Sequence, residues 1–529
     1  MKTLHKTICL SVLFTLLFLS ACAGAPATQA PRYATAAPAA PEAPAATSAP
    51  AMPEAPSSSS DQSGSVAQAP RPTREPNDMF FQNYGVNPSI DTEDDNLSTF
   101  ALDVDTGSYT VMRNYLKDGN LPPSDSVRVE EYVNYFDQGY ANPPAHQAFG
   151  IYLDGGPTPF TQTERYDMLR VGIQGYQVDE NERKPAALTF VIDVSGSMDM
   201  DNRLGLVKKS LEMLVEQLHR DDTISIVIFG SDARVLLQPT VGSDSGSILS
   251  AIYSLQTEGA TNAEAGLRLG YGIAMETFKS NGINRVILCS DGVANVGQTE
   301  ADSILEEIDR YVQQGVTLTT IGFGMGNYND TLMEQLADKG NGFYAYIDDQ
   351  NEARKVFIDK ISGTLQTIAM DAKVQVEFNP AVVKNYRLVG YENRAVADDQ
   401  FRDNSVDAGE IGAGHSVTAL YELKLYPHAG GKAATVYMRW QDPDTHQIVE
   451  ISQDFSVNQF ASDFRETDPY FQRAVVVAEY AEILKDSYWA EDSSLEHVYK
   501  ETQRIGEYLY RDDAMNEFVD LVREANRLK

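Results

Sequence analysis

The chain has 529 residues, 42% apolar and 22% charged, with 76 acidic against 42 basic side chains and a formal net charge of −34. That length allows several domains with sizeable cores, while the acidic balance repels nucleic acid and anionic lipid headgroups. Three cysteines and seven scattered histidines supply neither a disulfide framework nor a histidine-rich metal cluster.

Lys2 and Lys6 precede an apolar run from Ile8 to Leu19. The run is too short to span a bilayer, and residues 1–21 read as a secretory signal. It ends in Leu19-Ser20-Ala21-Cys22, which resembles the bacterial lipobox. The resemblance implies cleavage before Cys22 and lipidation of its sulfur, with acyl chains holding the protein on a membrane. Ala23 rather than Asp after the lipid site leans the expectation towards the outer membrane or cell surface of a bacterial envelope. Cys9 leaves with the signal, so only Cys289 is expected to remain a thiol, packed and inert in a buried strand. Residues 22–76 are mostly Ala, Pro and Ser and cannot bury a core, so they are expected to form a disordered tether. About 55 such residues span roughly 40 Å as a coil and up to about 170 Å in polyproline form.

The next region, 77–183, contains an acidic run, Asp91-Thr92-Glu93-Asp94-Asp95, without the glycine and ligand spacing of an EF-hand. It also contains Asp103 and Asp105, which would share a face on a strand. Surface display, or a turn cap beside Thr106-Gly107, is their simpler role. Residues 149–153 and 167–173 alternate apolar and polar side chains, as half-buried strands do.

In the region 184–368 an aliphatic stretch, 186–192, closes on Asp193-Val194-Ser195-Gly196-Ser197. Downstream stand Gly259-Ala260-Thr261-Asn262 and Cys289-Ser290-Asp291-Gly292. Segments 223–229, 285–289 and 316–321 are rich in β-branched residues and predict buried strands. Between them, Leu204, Val207, Leu211, Leu214, Val215 and Leu218 share one helical face, as do Ile304, Ile308, Tyr311 and Val312. Alternating strands and helices predict a doubly wound, mostly parallel α/β sheet, which binds ligands at the carboxyl ends of its strands. Asp193 and Asp291 belong at those ends. Gly322-Phe323-Gly324-Met325-Gly326 lacks the spacing of a dinucleotide loop and reads as a tight turn after a strand.

Ser195, Ser197 and Thr261 are neutral oxygen donors, and Asp193 and Asp291 can hold an ion directly or through water. An oxygen-only, hydroxyl-heavy set suits Mg²⁺, with Mn²⁺ or Ca²⁺ as alternatives. An ion so little neutralised is a receptor for a carboxylate from another molecule. This pattern resembles the metal-ion-dependent adhesion site of von Willebrand factor type A (VWA) domains, and all five positions match in order over about 184–362. The resemblance implies a Rossmann-like domain whose metal ligands are Asp193, Ser195, Ser197, Thr261 and Asp291. Its last helix is expected over about 351–368; in integrin-like relatives that helix shifts when the metal engages, but nothing in the residues here shows two states.

Alternating strands are also expected over 373–378, 417–425, 434–440 and 449–455, within a β-sandwich region 369–460. In 461–529 the period changes to helical. Phe471, Ala474, Val475 and Ala478 mark one helix, and Phe518, Leu521, Val522, Ala525 and Leu528 another. Phe100 to Tyr109, Gly119-Asn120-Leu121-Pro122-Pro123, Val127 to Phe136, Phe378-Asn379-Pro380 and the run Asp407 to His415 resemble bacterial VWA lipoproteins that carry an N-terminal segment and a C-terminal extra domain. That resemblance covers about 77–529. The fold class expected is α/β: a doubly wound VWA sheet inserted in, or flanked by, a β-sandwich, with helices at the C-terminal end. Neither HExxH, GxSxG nor a P-loop occurs, so no enzyme is expected. The expected function is a lipid-anchored envelope protein that binds an acidic residue of a protein partner through its metal site. The alternative is an envelope scaffold in which the metal mainly stabilises the fold.

Overall fold

Short runs of β-branched and aliphatic residues set the strands of this chain. They are seen in a computed structural model that describes residues 81–529 apart from 103–104, 145–146, 161–165, 180–181, 293–303, 305, 307, 309, 325–328, 360–364 and 407. The expected signal, the Cys22 lipid site, the 22–76 tether, Asp103, Met325, Gly326 and Asp407 lie outside the described residues. First come β1 (Ile90–Asp91) and β2 (Leu97–Ala101), helices Gly107–Lys117 and Val129–Asn134, then β3 (Phe149–Pro157) and β4 (Asp167–Gly175). The centre holds β5 (Ala186–Asp193), β6 (Thr223–Phe229), β7 (Ala233–Val241), β8 (Ile283–Ser290), β9 (Thr317–Phe323) and β10 (Tyr344–Ile347). After it follow β11 (Thr367–Phe378), β12 (Val383–Val389), β13 (Ile411–Gly412), β14 (Ser416–Leu425), β15 (Lys432–Gln441) and β16 (Ile448–Ser456). Helices Pro469–Leu484, Leu495–Tyr508 and Asp513–Leu528 end the chain.

The central sheet has the order β10–β9–β8–β5–β6–β7 and is parallel except for its edge strand β7. Alternate residues of β5 face opposite sides. Leu188, Phe190 and Ile192 pack with Leu204, Val207 and Leu211 of helix Arg203–Val215. Val191 packs with Leu267 and Tyr271 of helix Ala263–Glu276 on the other face. That second helix approaches closely because a Cβ on Gly270 would overlap Val191 and one on Gly266 would lie 2.7 Å from the Phe229 ring. β5 feeds β6 on one side, and β8 returns on the other. The strand order therefore reverses between β5 and β8, the place where open α/β sheets receive ligands.

The flanking strands form two further sheets among the described residues, β1–β12–β14–β4–β3 and β13–β11–β15–β16, with β2 also on β11. β4 precedes the central sheet and β14 follows it, yet they pair from Ser416 with Gln174 to Leu423 with Asp167. Their inner faces close one core that includes Leu169, Val171, Val374, Val376, Val417 and Met438. The α/β sheet is thus inserted into a β-sandwich. The C-terminal helices pack Val476, Tyr480 and Phe518 against Tyr109, Tyr132 and Phe136. The described residues fall in one compact unit, and among them no helix is long and apolar enough to cross a membrane.

The helix expected over 351–368 gives way to a strand before its expected end. Gln350–Arg354 is α-helical and Lys355–Asp359 continues as a π-helix. Ile368 already belongs to β11, because its side chain packs into the sandwich core and Thr367 pairs with Gly412. Asp105 is buried rather than displayed. It accepts the Tyr344 backbone N–H at 2.8 Å and pairs with Arg394 at 3.4 Å.

Candidate metal centre

The turn after β5 carries the centre. Asp193 ends that strand, and its Oδ1 accepts the Ser195 N–H at 2.8 Å, which folds the turn back on itself. A 3₁₀ helix, Gly196–Asn202, follows and leads into helix Arg203–Val215. Across this turn the Ser195 and Ser197 hydroxyl oxygens lie 3.0 Å apart. β8 lies beside β5, with Ile192 opposite Cys289. This register brings Ser290 next to Asp193, and the Ser290 hydroxyl donates to Asp193 Oδ2 at 2.8 Å. Asp291 follows directly.

The Thr261 loop reaches the same turn through its backbone. Gly196 N–H donates to the Gly259 carbonyl at 3.3 Å, and Glu258 N–H donates to Val194 O. Gly259 has φ +69°, and a Cβ there would overlap Ser231. The Ser231 hydroxyl in turn accepts the Ala260 N–H at 3.0 Å. Asn262 caps helix Ala263–Glu276 by accepting the Ala265 N–H at 3.1 Å. Side-chain hydrogen bonds therefore link Asp193 with Ser290 and Ser195 with Ser197, while Thr261 is brought in by its loop alone.

Burial pushes the Asp193 carboxyl up to about 6, with the nearby Asp291 charge adding to the rise and hydrogen bonds from Ser195 and Ser290 opposing it. Asp193 and Ser290 are fully buried, and Ser195 is 2% exposed. A dry carboxylate surrounded by neutral hydroxyls is the kind of group a cation stabilises. Among the described residues no cluster of three or more His, Cys, Asp or Glu is suited to hold a metal. Any ion here relies on the serine and threonine hydroxyls, and an oxygen-only donor set fits a hard divalent cation.

Two residues escape a reading of the sequence. Ser290 lies within the Cys289-Ser290-Asp291-Gly292 run, but its sequence position names no partner for it. Arg203 pairs with Asp291 Oδ2 and also donates to the Ser197 carbonyl at 3.4 Å. A cation in the first turn of a helix opposes the macrodipole, and that local misfit was the available signal. Cys289 is a buried free thiol whose pKa is raised by that burial, as expected of an inert core cysteine.

Family models agree with this architecture. The model described as "von Willebrand factor type A domain" matches residues 187–359, and one described as "von Willebrand factor" matches 75–167. A third, "Uncharacterized protein YfbK, C-terminal", matches 363–528. The human inter-alpha-trypsin inhibitor heavy chain H3 is 27% identical over 177 residues, 32% of this chain and 20% of that protein. A solved structure, "von Willebrand factor type A from Catenulispora acidiphila", is similar with a TM-score of 0.44 and 14% identity, over 73% of this chain and 91% of that one. VWA domains commonly mediate metal-dependent protein–protein adhesion and usually bind a divalent ion. The chain is 38% identical over 451 residues to the Escherichia coli protein described as "Uncharacterized protein YfbK", covering 80% of this chain and 77% of that one. The chain therefore belongs to the family of Escherichia coli YfbK, bacterial proteins built around a VWA domain.

Proposed function

We propose that the chain is a metal-dependent binding module carried on a lipid-anchored protein of the bacterial envelope. Asp193, Ser195, Ser197, Thr261 and Asp291 hold a divalent ion, Mg²⁺ first and Mn²⁺ or Ca²⁺ as substitutes. Three neutral hydroxyls leave much of its charge uncancelled, so an Asp or Glu carboxylate of a protein partner completes the shell. The observation that carries this reading is the convergence of Asp193, Ser195, Ser197 and Asp291 at the switch point between β5 and β8. Cys22 anchors the chain at the outer membrane or cell surface. The role is binding rather than catalysis, because Asp193 as a metal ligand does not serve Ser195 as a base.

The scaffold alternative, in which the ion mainly stabilises the fold, has less support. Asp193 and Asp291 already have protein partners in Ser290, the Ser195 N–H and Arg203. The test is capture of partners from envelope extract on the immobilised full chain, with and without EDTA, for wild type and Ser195→Ala. Binding predicts a retained protein that EDTA releases and Ser195→Ala fails to retain, with melting nearly unchanged. Melting that collapses in EDTA while capture persists would establish the scaffold reading instead.

A further inference from the structure

Arg203 stands where a metal site would not be expected to tolerate a cation. Its side chain is 2% exposed. One guanidinium nitrogen, Nη1, touches two of the five candidate ligand residues, the Asp291 carboxylate and the Ser197 carbonyl. The side chain is also held from behind. Gly324, at φ +82° in the turn after β9, lies against it so closely that a Cβ would overlap its Nε, Cδ and Cγ atoms. The left-handed backbone and the close approach both require glycine there. The guanidinium is therefore a fixed charge at the edge of the centre, with little freedom to swing into solvent.

We propose that Arg203 sets the affinity of the centre for its divalent ion, by engaging Asp291 in an internal ion pair and by placing a permanent positive charge beside Ser197. This inference rests on the metal reading of the site. A carboxylate claimed by a guanidinium is a weaker donor to a second cation. Two positive charges that share one residue as neighbour also repel. The weakened, partly neutralised site then depends more on the partner's carboxylate to hold the ion. Arg203 is thus a positioning residue that links retention of the ion to the presence of a partner.

The test is isothermal titration of Mg²⁺ into the full chain after EDTA treatment, for wild type, Arg203→Gln, Arg203→Met and Arg203→Lys. The Met variant retains an unbranched stem to pack on Gly324. Melting in EDTA reports on folding separately. The expected result is Mg²⁺ binding at least about tenfold tighter in Arg203→Gln and Arg203→Met, with Arg203→Lys within about threefold of wild type. A purely structural arginine would lower the melting temperature and leave affinity unchanged or weaker, which overturns the proposal. Failure of both neutral variants to fold overturns it too, since the guanidinium would then be a requirement of the fold. If no variant and no wild-type protein binds Mg²⁺, the metal reading itself has failed. If wild type binds and the folded neutral variants bind no more tightly, only the role of Arg203 falls.

Discussion

Arg203 and Asp291 face each other with side chains 2% and 10% exposed, so removing the carboxylate takes the opposite charge away from a buried cation. Asp291→Ala should therefore cost about 3–5 kcal/mol in chelator, before any metal effect is counted. Ser195→Ala loses a neutral hydroxyl that pairs with Ser197 and supports the Asp193 carboxyl, and should cost about 1–2 kcal/mol. Urea unfolding in EDTA measures both, and equal losses would contradict a strong Arg203–Asp291 pair. Ser195→Ala is consequently the cleaner probe of function. Elsewhere, burial pushes the Glu479 carboxyl from 4.5 up to about 7, helped by Glu422 and Glu482 and opposed by Ser493 and Arg387. A raised native pKa means that the folded chain holds more protons than the unfolded one between about pH 4.5 and 7. Stability from this group is thus fully present below pH 4.5 and is lost as pH rises through 7. Glu479→Gln should be more stable than wild type by about 1–3 kcal/mol at pH 8 and no different near pH 4.5. Denaturation midpoints at the two pH values decide it, and a constant difference between them would count against this origin.

At the scale of elements, one arginine joins three regions far apart in sequence. Arg113, in helix Gly107–Lys117, meets Asp348 at 2.5 Å, Glu352 at 2.9 Å and Glu517 at 3.0 Å. It thereby fixes the start of helix Gln350–Arg354 against helix Asp513–Leu528. Lys355, one turn on, donates to the Tyr135 carbonyl at 2.7 Å and lies 3.2 Å from the centre of the Tyr135 ring. Arg113→Ala leaves Asp348 and Glu352 buried without this cation and should cost about 3–5 kcal/mol by urea unfolding. A loss below 1 kcal/mol would show that the cluster is not held by this charge. The central strands β5, β6 and β8 were legible because both faces are covered and their runs are continuously apolar. β7 was not: it is an edge strand with exposed positions and Pro239, which only an unpaired edge accommodates. Helix Leu495–Tyr508 was missed because its buried apolar side chains are only Leu495, Val498 and Ile505, among many polar neighbours.

Across the whole molecule, linear order hides partnerships that the fold depends on. Strands on both sides of the centre, within 77–183 and 369–460, suggest an inserted domain from sequence, and they share a sheet through β4 and β14; the charge pairs between these regions are what linear order conceals. Arg128, ahead of the central sheet, pairs at 2.7 Å with Asp330 of helix Asp330–Lys339, and Arg394, behind that sheet, pairs with Glu334 of the same helix at 2.8 Å. Sequence cannot reveal such pairs, since a buried arginine and a surface arginine are the same letter. The five candidate ligands were legible for the opposite reason, because hydroxyls and carboxylates recur at the ends of recognisable strands. Thr261 is the least supported by side-chain contacts, since its loop reaches the turn by backbone hydrogen bonds alone. The most direct measurement is therefore titration calorimetry of Mg²⁺ into EDTA-treated full chain, beside Ser195→Ala, Ser197→Ala and Thr261→Ala. A saturable heat for wild type, with each variant at least about tenfold weaker (about 1.4 kcal/mol), is the predicted result. No binding of Mg²⁺, Mn²⁺ or Ca²⁺ at millimolar concentration, or one affinity shared by all four proteins, would contradict it.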